Sequence, residues 1–116
     1  MKINLLLLIL ICAIAGCKVK PTELDIKVSQ LKEGMTKSEV KALFNNFVIS
    51  NETNRVGKVE LIGKHDEANG KLYGTNNIYS SEIFYEGKSP KIFPDYCSIY
   101  FDSNNVIVAH MIQRYD

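Results

Sequence analysis

Residues 31–47 read LKEGMTKSEVKALFNNF, and this stretch predicts how the folded domain begins. Thr36 and Glu39 have the spacing of a capping box, in which each side chain accepts a hydrogen bond from the other residue's backbone amide. The apolar positions that follow repeat at helical spacing. They are Val40, Leu43, Phe44 and Phe47. The stretch therefore predicts a helix that starts just after Thr36 and buries one face.

A first helix is predicted on the N-terminal side of this stretch. Leu24, Val28 and Leu31 are spaced i, i+4 and i+7, as on one face of a helix. Gly34 ends that pattern and suits the left-handed conformation that often follows a helix. We therefore expect two short helices joined by residues 34–36.

On the C-terminal side the pattern changes to strands. Val56–Ile62 and Ile78–Tyr85 are rich in β-branched and aromatic residues, and Tyr96–Tyr115 reads as a hairpin. Gly63–Asn77 reads as a loop, with a short strand near Leu72-Tyr73 as an alternative. The predicted fold class is α+β, with two short N-terminal helices packed on one face of a small antiparallel sheet. This domain is expected to span residues 24–116.

The register of the final hairpin decides which side chains meet. A loop of two or four residues would place Cys97 opposite His110 and favour a thiol–imidazole or metal site. A three-residue loop, with Asn105 in the left-handed conformation, would instead pair Asp102 with Val106. We prefer the three-residue loop because it buries six apolar side chains and no imidazole. These six are Cys97, Ile99, Phe101, Ile107, Ala109 and Met111.

That register leaves a mixed face on the other side of the hairpin. We predict it as the partner-binding face, since tyrosines offer both apolar area and a polar tip. Its residues are Tyr96, Tyr100, Val108, His110 and Ile112.

The N-terminus carries a targeting pattern. Leu5–Ala15 is an unbroken apolar run, preceded by the single charge of Lys2. It is shorter than the roughly 20 residues that a membrane-spanning helix needs, and it fits a secretory signal peptide. Residues 14–17, Ile-Ala-Gly-Cys, resemble the bacterial lipobox. We therefore expect residues 1–16 to be a signal peptide, Cys17 to carry lipid, and residues 17–23 to form a tether.

Composition excludes several classes of function. Cleavage after residue 16 removes Lys2, so the 14 basic residues become 13 and balance the 13 acidic ones. A neutral chain is not expected to bind nucleic acid. Cys97 would be the only thiol left, so no intramolecular disulfide is expected. The two histidines, His65 and His110, lack metal-ligand spacing, so we expect no metal, no cofactor and no catalysis.

Two segments resemble the BamE-like family of small lipoproteins, also called SmpA/OmlA. The matching residues are Leu31, Gly34-Met35-Thr36, Glu39-Val40, Leu43, Phe101-Asp102 and Val106. The chain departs from the family at Asn105, where a glycine is usual, and at residues 43–47, which lack the usual Leu-Gly-x-Pro step.

The resemblance implies a helix–turn–helix on an antiparallel sheet and a non-catalytic scaffold role in the cell envelope. The partners it implies are the membrane, through lipid on Cys17, and a protein, beside an outer-membrane protein assembly machine. Lys18 takes the position where aspartate signals inner-membrane retention, so we expect the outer membrane, facing the periplasm. The alternative hypothesis is an inhibitor of an envelope enzyme acting through the loop 63–77, or a small periplasmic enzyme.

The lipoprotein hypothesis predicts the behaviour of one variant. Cys17→Ala should leave the precursor uncut and unlabelled by a palmitate analogue, because the alkylated thiol is gone. Cys97→Ala should label like the wild-type chain. Metabolic labelling followed by gel electrophoresis measures both, and labelling of the Cys17→Ala chain would refute the hypothesis.

Overall fold

The computed structural model describes residues 21–88 and 93–114. The predicted signal peptide, Cys17 and residues 18–20 of the tether lie outside these residues. Three short helices and seven strands form within them, in the order α1 (Glu23–Val28), α2 (Lys37–Leu43), β1 (Val48–Thr53), β2 (Gly57–Lys58), α3 (Gly63–Asn69), β3 (Gly70–Leu72), β4 (Ile78–Tyr79), β5 (Ser81–Glu86), β6 (Tyr96–Phe101) and β7 (Ile107–Gln113).

The strands form two antiparallel sheets. Five strands make the main sheet in the order β1-β5-β6-β7-β3, and β2 pairs with β4 in a two-stranded ribbon. Side chains of α1 and α2 join one continuous core with side chains from one face of the main sheet. We call that face the inner face and the opposite one the outer face. The predicted α+β class with a small antiparallel sheet is confirmed.

Capping boxes start both N-terminal helices. The Thr36 hydroxyl accepts from the Glu39 amide at 3.2 Å, and the Glu39 carboxylate accepts from the Thr36 amide at 3.2 Å, as the sequence predicted. Thr22 and Asp25 make the same pair of bonds at α1, which the sequence analysis missed. The two predicted N-terminal helices are present, and Gly34 has the predicted left-handed φ of +85°. The first helix ends earlier than predicted, at Val28, so residues 29–36 join the two helices instead of residues 34–36.

The core lies between these helices and the inner face. The ring of Phe44 in the turn after α2 stacks on Tyr85 of β5, with centroids 4.8 Å apart. Both rings are almost completely buried, as are the neighbouring side chains of β5 and β6. The core consists mainly of Leu24, Val28, Leu31, Val40, Phe44, Phe47, Ile83, Tyr85, Cys97, Ile99, Phe101, Ile107 and Ile112.

The turn of the final hairpin is the one predicted. Asn105 has φ +60°, and the Asp102 amide donates to the Val106 carbonyl at 2.9 Å. The Asp102 carboxylate accepts from the amides of Asn104 and Val106 at 2.8 and 3.0 Å. A short polar side chain thus satisfies two turn amides, which is why Asp suits this position.

Beyond the turn the predicted register is wrong. Phe101 pairs with Ile107 but Tyr100 pairs with Ala109, so Val108 is an extra residue in a β-bulge. A bulge shifts every later side chain to the other face. Ala109 and Met111 therefore lie on the outer face, while His110 and Ile112, predicted to lie away from the helices, lie on the inner face.

The middle of the chain also differs from prediction. Only Gly57–Lys58 of the predicted strand Val56–Ile62 pairs, and it pairs in the ribbon. The predicted loop Gly63–Asn77 contains α3, which was not predicted, and β3, which overlaps the alternative short strand near Leu72-Tyr73. Both elements contact a strand that is distant in sequence: β3 pairs with β7, and α3 packs beside β7. Local propensity does not report such contacts.

Two further parts of the sheet differ from prediction. Ile78–Tyr85 was predicted as one strand and forms β4 and β5, because the chain passes from the ribbon to the main sheet at Ser80. β1 was not predicted. It is an edge strand with five of its six residues exposed, so it lacks the alternating burial that a sequence pattern would report.

The cap at Thr36 predicts a measurable loss of stability. Thr36→Ala should lower the free energy of unfolding by about 0.5–2 kcal/mol, because the Glu39 amide loses its acceptor. Ser38→Ala removes an exposed hydroxyl inside the same helix and should change stability by less than about 0.5 kcal/mol. Urea unfolding followed by circular dichroism measures both, and equal effects of the two changes would contradict the capping role.

Candidate protein-binding face

The five residues predicted as a partner-binding face do not share one face. Tyr96 and Tyr100 lie on the outer face and are half-buried. His110 and Ile112 lie in the inner core, with 7% and 6% of their surface exposed, and Val108 is 2% exposed in a second apolar cluster. The prediction is therefore wrong for His110 and Ile112, because it assumed unbroken alternation through the bulge. It is wrong for Val108 because Val59 of the ribbon segment covers that side chain on the outer face.

His110 is buried against a partner that lies far away in sequence. The Tyr73 hydroxyl lies 2.7 Å from Nδ1 of His110 and donates to it when the ring proton is on Nε2. Burial, and then the nearby charge of Lys71, lower the pKa of His110 to about 4. The imidazole is therefore neutral at pH 7, and its polar atom is satisfied inside the core.

Cys97 is also buried and is not an activated thiol. It lies opposite Ile112, while His110 lies opposite Ile99. The Cys97 thiol donates to the Ser98 carbonyl with a sulfur–oxygen distance of 3.8 Å, and burial raises its pKa. Reactive cysteines have the opposite character, with a lowered pKa and access to solvent.

The other histidine, His65, is exposed on α3, with Nδ1 3.7 Å from the Asp66 carboxylate. In the part of the chain that the structure describes, no three His, Cys, Asp or Glu side chains are grouped to hold a metal ion.

The ribbon covers half of the outer face. Val59, which follows β2, packs against Val108 and Ala109 in the second apolar cluster. The rings of Tyr79 and Tyr100 lie 4.6 Å apart and pack against the edge of this cluster. The outer side of β7 and β3 is thus occupied from within the chain.

Within residues 21–88 and 93–114, the ribbon leaves the remaining half of the outer face, over β1, β5 and β6, uncovered. Phe84 and Tyr96 stack there with centroids 4.9 Å apart and planes at 23°. Phe84 also lines a groove of about 400 Å³ with residues of β1. We call this region the open patch. It consists of Asn51, Thr53, Glu82, Phe84, Glu86 and Tyr96, which the strand register places on one face.

Only Tyr96 of the open patch was predicted. Glu82, Phe84 and Glu86 alternate along β5 with the buried Ile83 and Tyr85, so the period of a half-buried strand was present in the sequence. The signal was missed because the face was assigned from the hairpin alone. The β1 residues gave no such signal, since the strand itself was not recognised.

Comparisons with known proteins assign no family to this geometry. A scan against protein-family models, a search of curated proteins and a search of solved structures each found no match to the chain. No helix among the described residues has the length and apolar content to cross a membrane.

Burial of His110 predicts a loss of stability in mild acid. The unfolded imidazole takes up a proton near pH 6.5, whereas the folded one resists until about pH 4. The contribution of neutral His110 to the free energy of unfolding should therefore be fully present above pH 6.5. It should fall by about 3 kcal/mol as the pH drops from 6.5 to 4. The Tyr73→Phe/His110→Leu double variant should lose this part of the slope. Urea unfolding across that range measures both chains, and identical slopes would contradict the assignment.

A matched pair of tyrosine variants tests the hydrogen bond itself. Tyr73→Phe leaves the buried imidazole without its partner and should cost about 1–3 kcal/mol. Tyr85 is equally buried, but within residues 21–88 and 93–114 its hydroxyl has no hydrogen-bond partner. Tyr85→Phe should therefore be neutral or stabilising.

Proposed function

We propose that the chain is a lipid-anchored lipoprotein of the cell envelope whose domain binds a protein partner through the open patch, without catalysis. The observation that carries the proposal is the stacked pair of Phe84 and Tyr96 beside a groove on the uncovered half of the outer face. Half-buried aromatic side chains of this kind are enriched in protein interfaces. The inner face is filled by the helices, and the ribbon occupies the rest of the outer face.

The proposed anchor keeps the domain near the membrane. Lipid on Cys17 would lie five residues before Thr22, where α1 is capped. An extended segment of that length spans at most about 17 Å. The partner is therefore proposed to be another envelope protein at the same membrane, which we place at the outer membrane, facing the periplasm.

The BamE-like assignment stays a proposal and rests on two segments. The step at residues 34–36 and the hairpin segment 101–106 carry the resemblance, and both contribute to one contact. The Met35 carbonyl accepts from the Ile107 amide at 2.8 Å, and Thr36 forms a β-bridge with Val106. We propose on this basis an accessory scaffold role beside the assembly of outer-membrane proteins.

Site-specific crosslinking tests the docking face. A photo-reactive phenylalanine analogue in place of Tyr96, in the anchored chain within native envelopes, should give a discrete adduct with one protein. The same analogue in place of Lys32, which is exposed between α1 and α2, should give none. Adducts of equal yield at the two positions, or none at Tyr96, would count against the open patch as the docking face.

A further inference from the structure

We infer that the open patch receives a positively charged segment of the partner, with an arginine or lysine side chain lying over Phe84 between the carboxylates of Glu82 and Glu86. This inference rests on the proposed function and names the chemistry of its partner. Three features support it: the charges of the patch, its aromatic pair and the groove that Glu82 and Phe84 line with β1.

The charges come from a single strand. Glu82 and Glu86 flank Phe84 at two-residue spacing, so all three side chains project from the same face of β5. The outer-face partners in β1 and β6 are neutral: Val48, Asn51, Thr53, Tyr96, Ser98 and Tyr100. Throughout residues 21–88 and 93–114, no cationic side chain forms an ion pair with Glu82 or Glu86. The patch therefore presents two carboxylates without a compensating charge from the described strands.

The aromatic pair adds attraction for a cation. A ring carries negative potential on its faces, so a guanidinium or ammonium group binds over it. The same chemistry occurs elsewhere in this domain, where Lys37 lies 5.2 Å from the centre of the Phe101 ring. At the open patch the ring of Phe84 borders the groove, and Asn51 and Thr53 offer oxygen acceptors beside it. Arginine fits best, because its planar group stacks on rings while its N–H groups reach these acceptors.

The spacing argues for a side chain of a protein over other ligands. Four residues along a strand separate the two carboxylates by about 13 Å, too far for one metal ion to bind both. Anionic lipid headgroups and nucleic acid would be repelled by these two carboxylates, which no cation of the described residues pairs with. A peptide segment carrying two or more cations can reach both.

Binding of an oligo-arginine peptide tests the inference. The full chain, held in micelles of a neutral detergent, is titrated against the labelled peptide and fluorescence anisotropy is recorded. The Glu82→Gln/Glu86→Gln double variant should weaken binding about tenfold, and added salt should weaken binding to the wild-type chain. Phe84→Leu keeps an apolar side chain but loses the ring, and should weaken binding about two- to fivefold.

The matched control removes the same charge elsewhere. Glu33→Gln/Glu67→Gln alters two exposed carboxylates, one between α1 and α2 and one on α3, and should leave the affinity within about twofold of wild type. An equal loss of affinity in the two double variants would mean that peptide binding depends on net charge alone, and this would overturn the inference. Thermal unfolding of each variant shows that the domain is intact, which the Glu→Gln changes at half-exposed positions should preserve.

The remaining outcomes separate this inference from the proposed function. Peptide binding that ignores the Glu82 and Glu86 changes, with crosslinking at Tyr96 retained, would overturn the cationic segment and leave the docking face. If the Glu82 and Glu86 changes have no effect and Tyr96 also gives no crosslink, the proposal that the open patch is the docking face would be overturned as well. Concentration-dependent dimerisation that Phe84→Leu abolishes would assign the open patch to a second copy of this chain and would also overturn the inference.

Discussion

The fold depends on a short backbone pairing between the step that joins α1 to α2 and the turn of the final hairpin. The Lys37 amide donates to the Asn105 carbonyl, and the Ile107 amide donates to the Met35 carbonyl, both at 2.8 Å. These two bonds hold α2 over the inner face through main-chain atoms. The geometry requires left-handed backbone at Gly34 and at Asn105, and these residue types tolerate it. The helical layer is therefore positioned by main-chain hydrogen bonds in addition to side-chain packing.

The parts of the fold that could be predicted from the sequence are those specified by local chemistry. Thr36 and Glu39 satisfy each other's amides within one turn, and the Asp102 carboxylate satisfies the amides of its own turn. Neither arrangement needs a distant partner, so the residues alone indicate it. α3 and β3 are different, because β3 exists through pairing with β7 and α3 lies beside the same strand.

The position of His110 was predicted wrongly for the same reason. An imidazole without a hydrogen-bond partner is costly to bury in a core. The partner exists, but it is Tyr73, which lies 37 residues earlier and follows β3. Once β3 adds to the sheet, the Tyr73 hydroxyl meets Nδ1 and the cost is largely offset. Placing His110 correctly requires both the bulge at Val108 and the pairing of β3 with β7. Neither is indicated by the sequence of the hairpin.

The bulge also determines where the open patch can lie. With Val108 as the extra residue, both Val108 and Ala109 point to the outer face. Two adjacent apolar side chains there create a site for Val59, and the ribbon settles over β7 with Tyr79 against Tyr100. Without the bulge, Val108, His110 and Ile112 would have pointed outward, as was predicted, and the ribbon would have met an imidazole. One inserted residue therefore lets the ribbon cover half of the outer face, and the stacked pair of Phe84 and Tyr96 lies on the other half, beside the two carboxylates of β5.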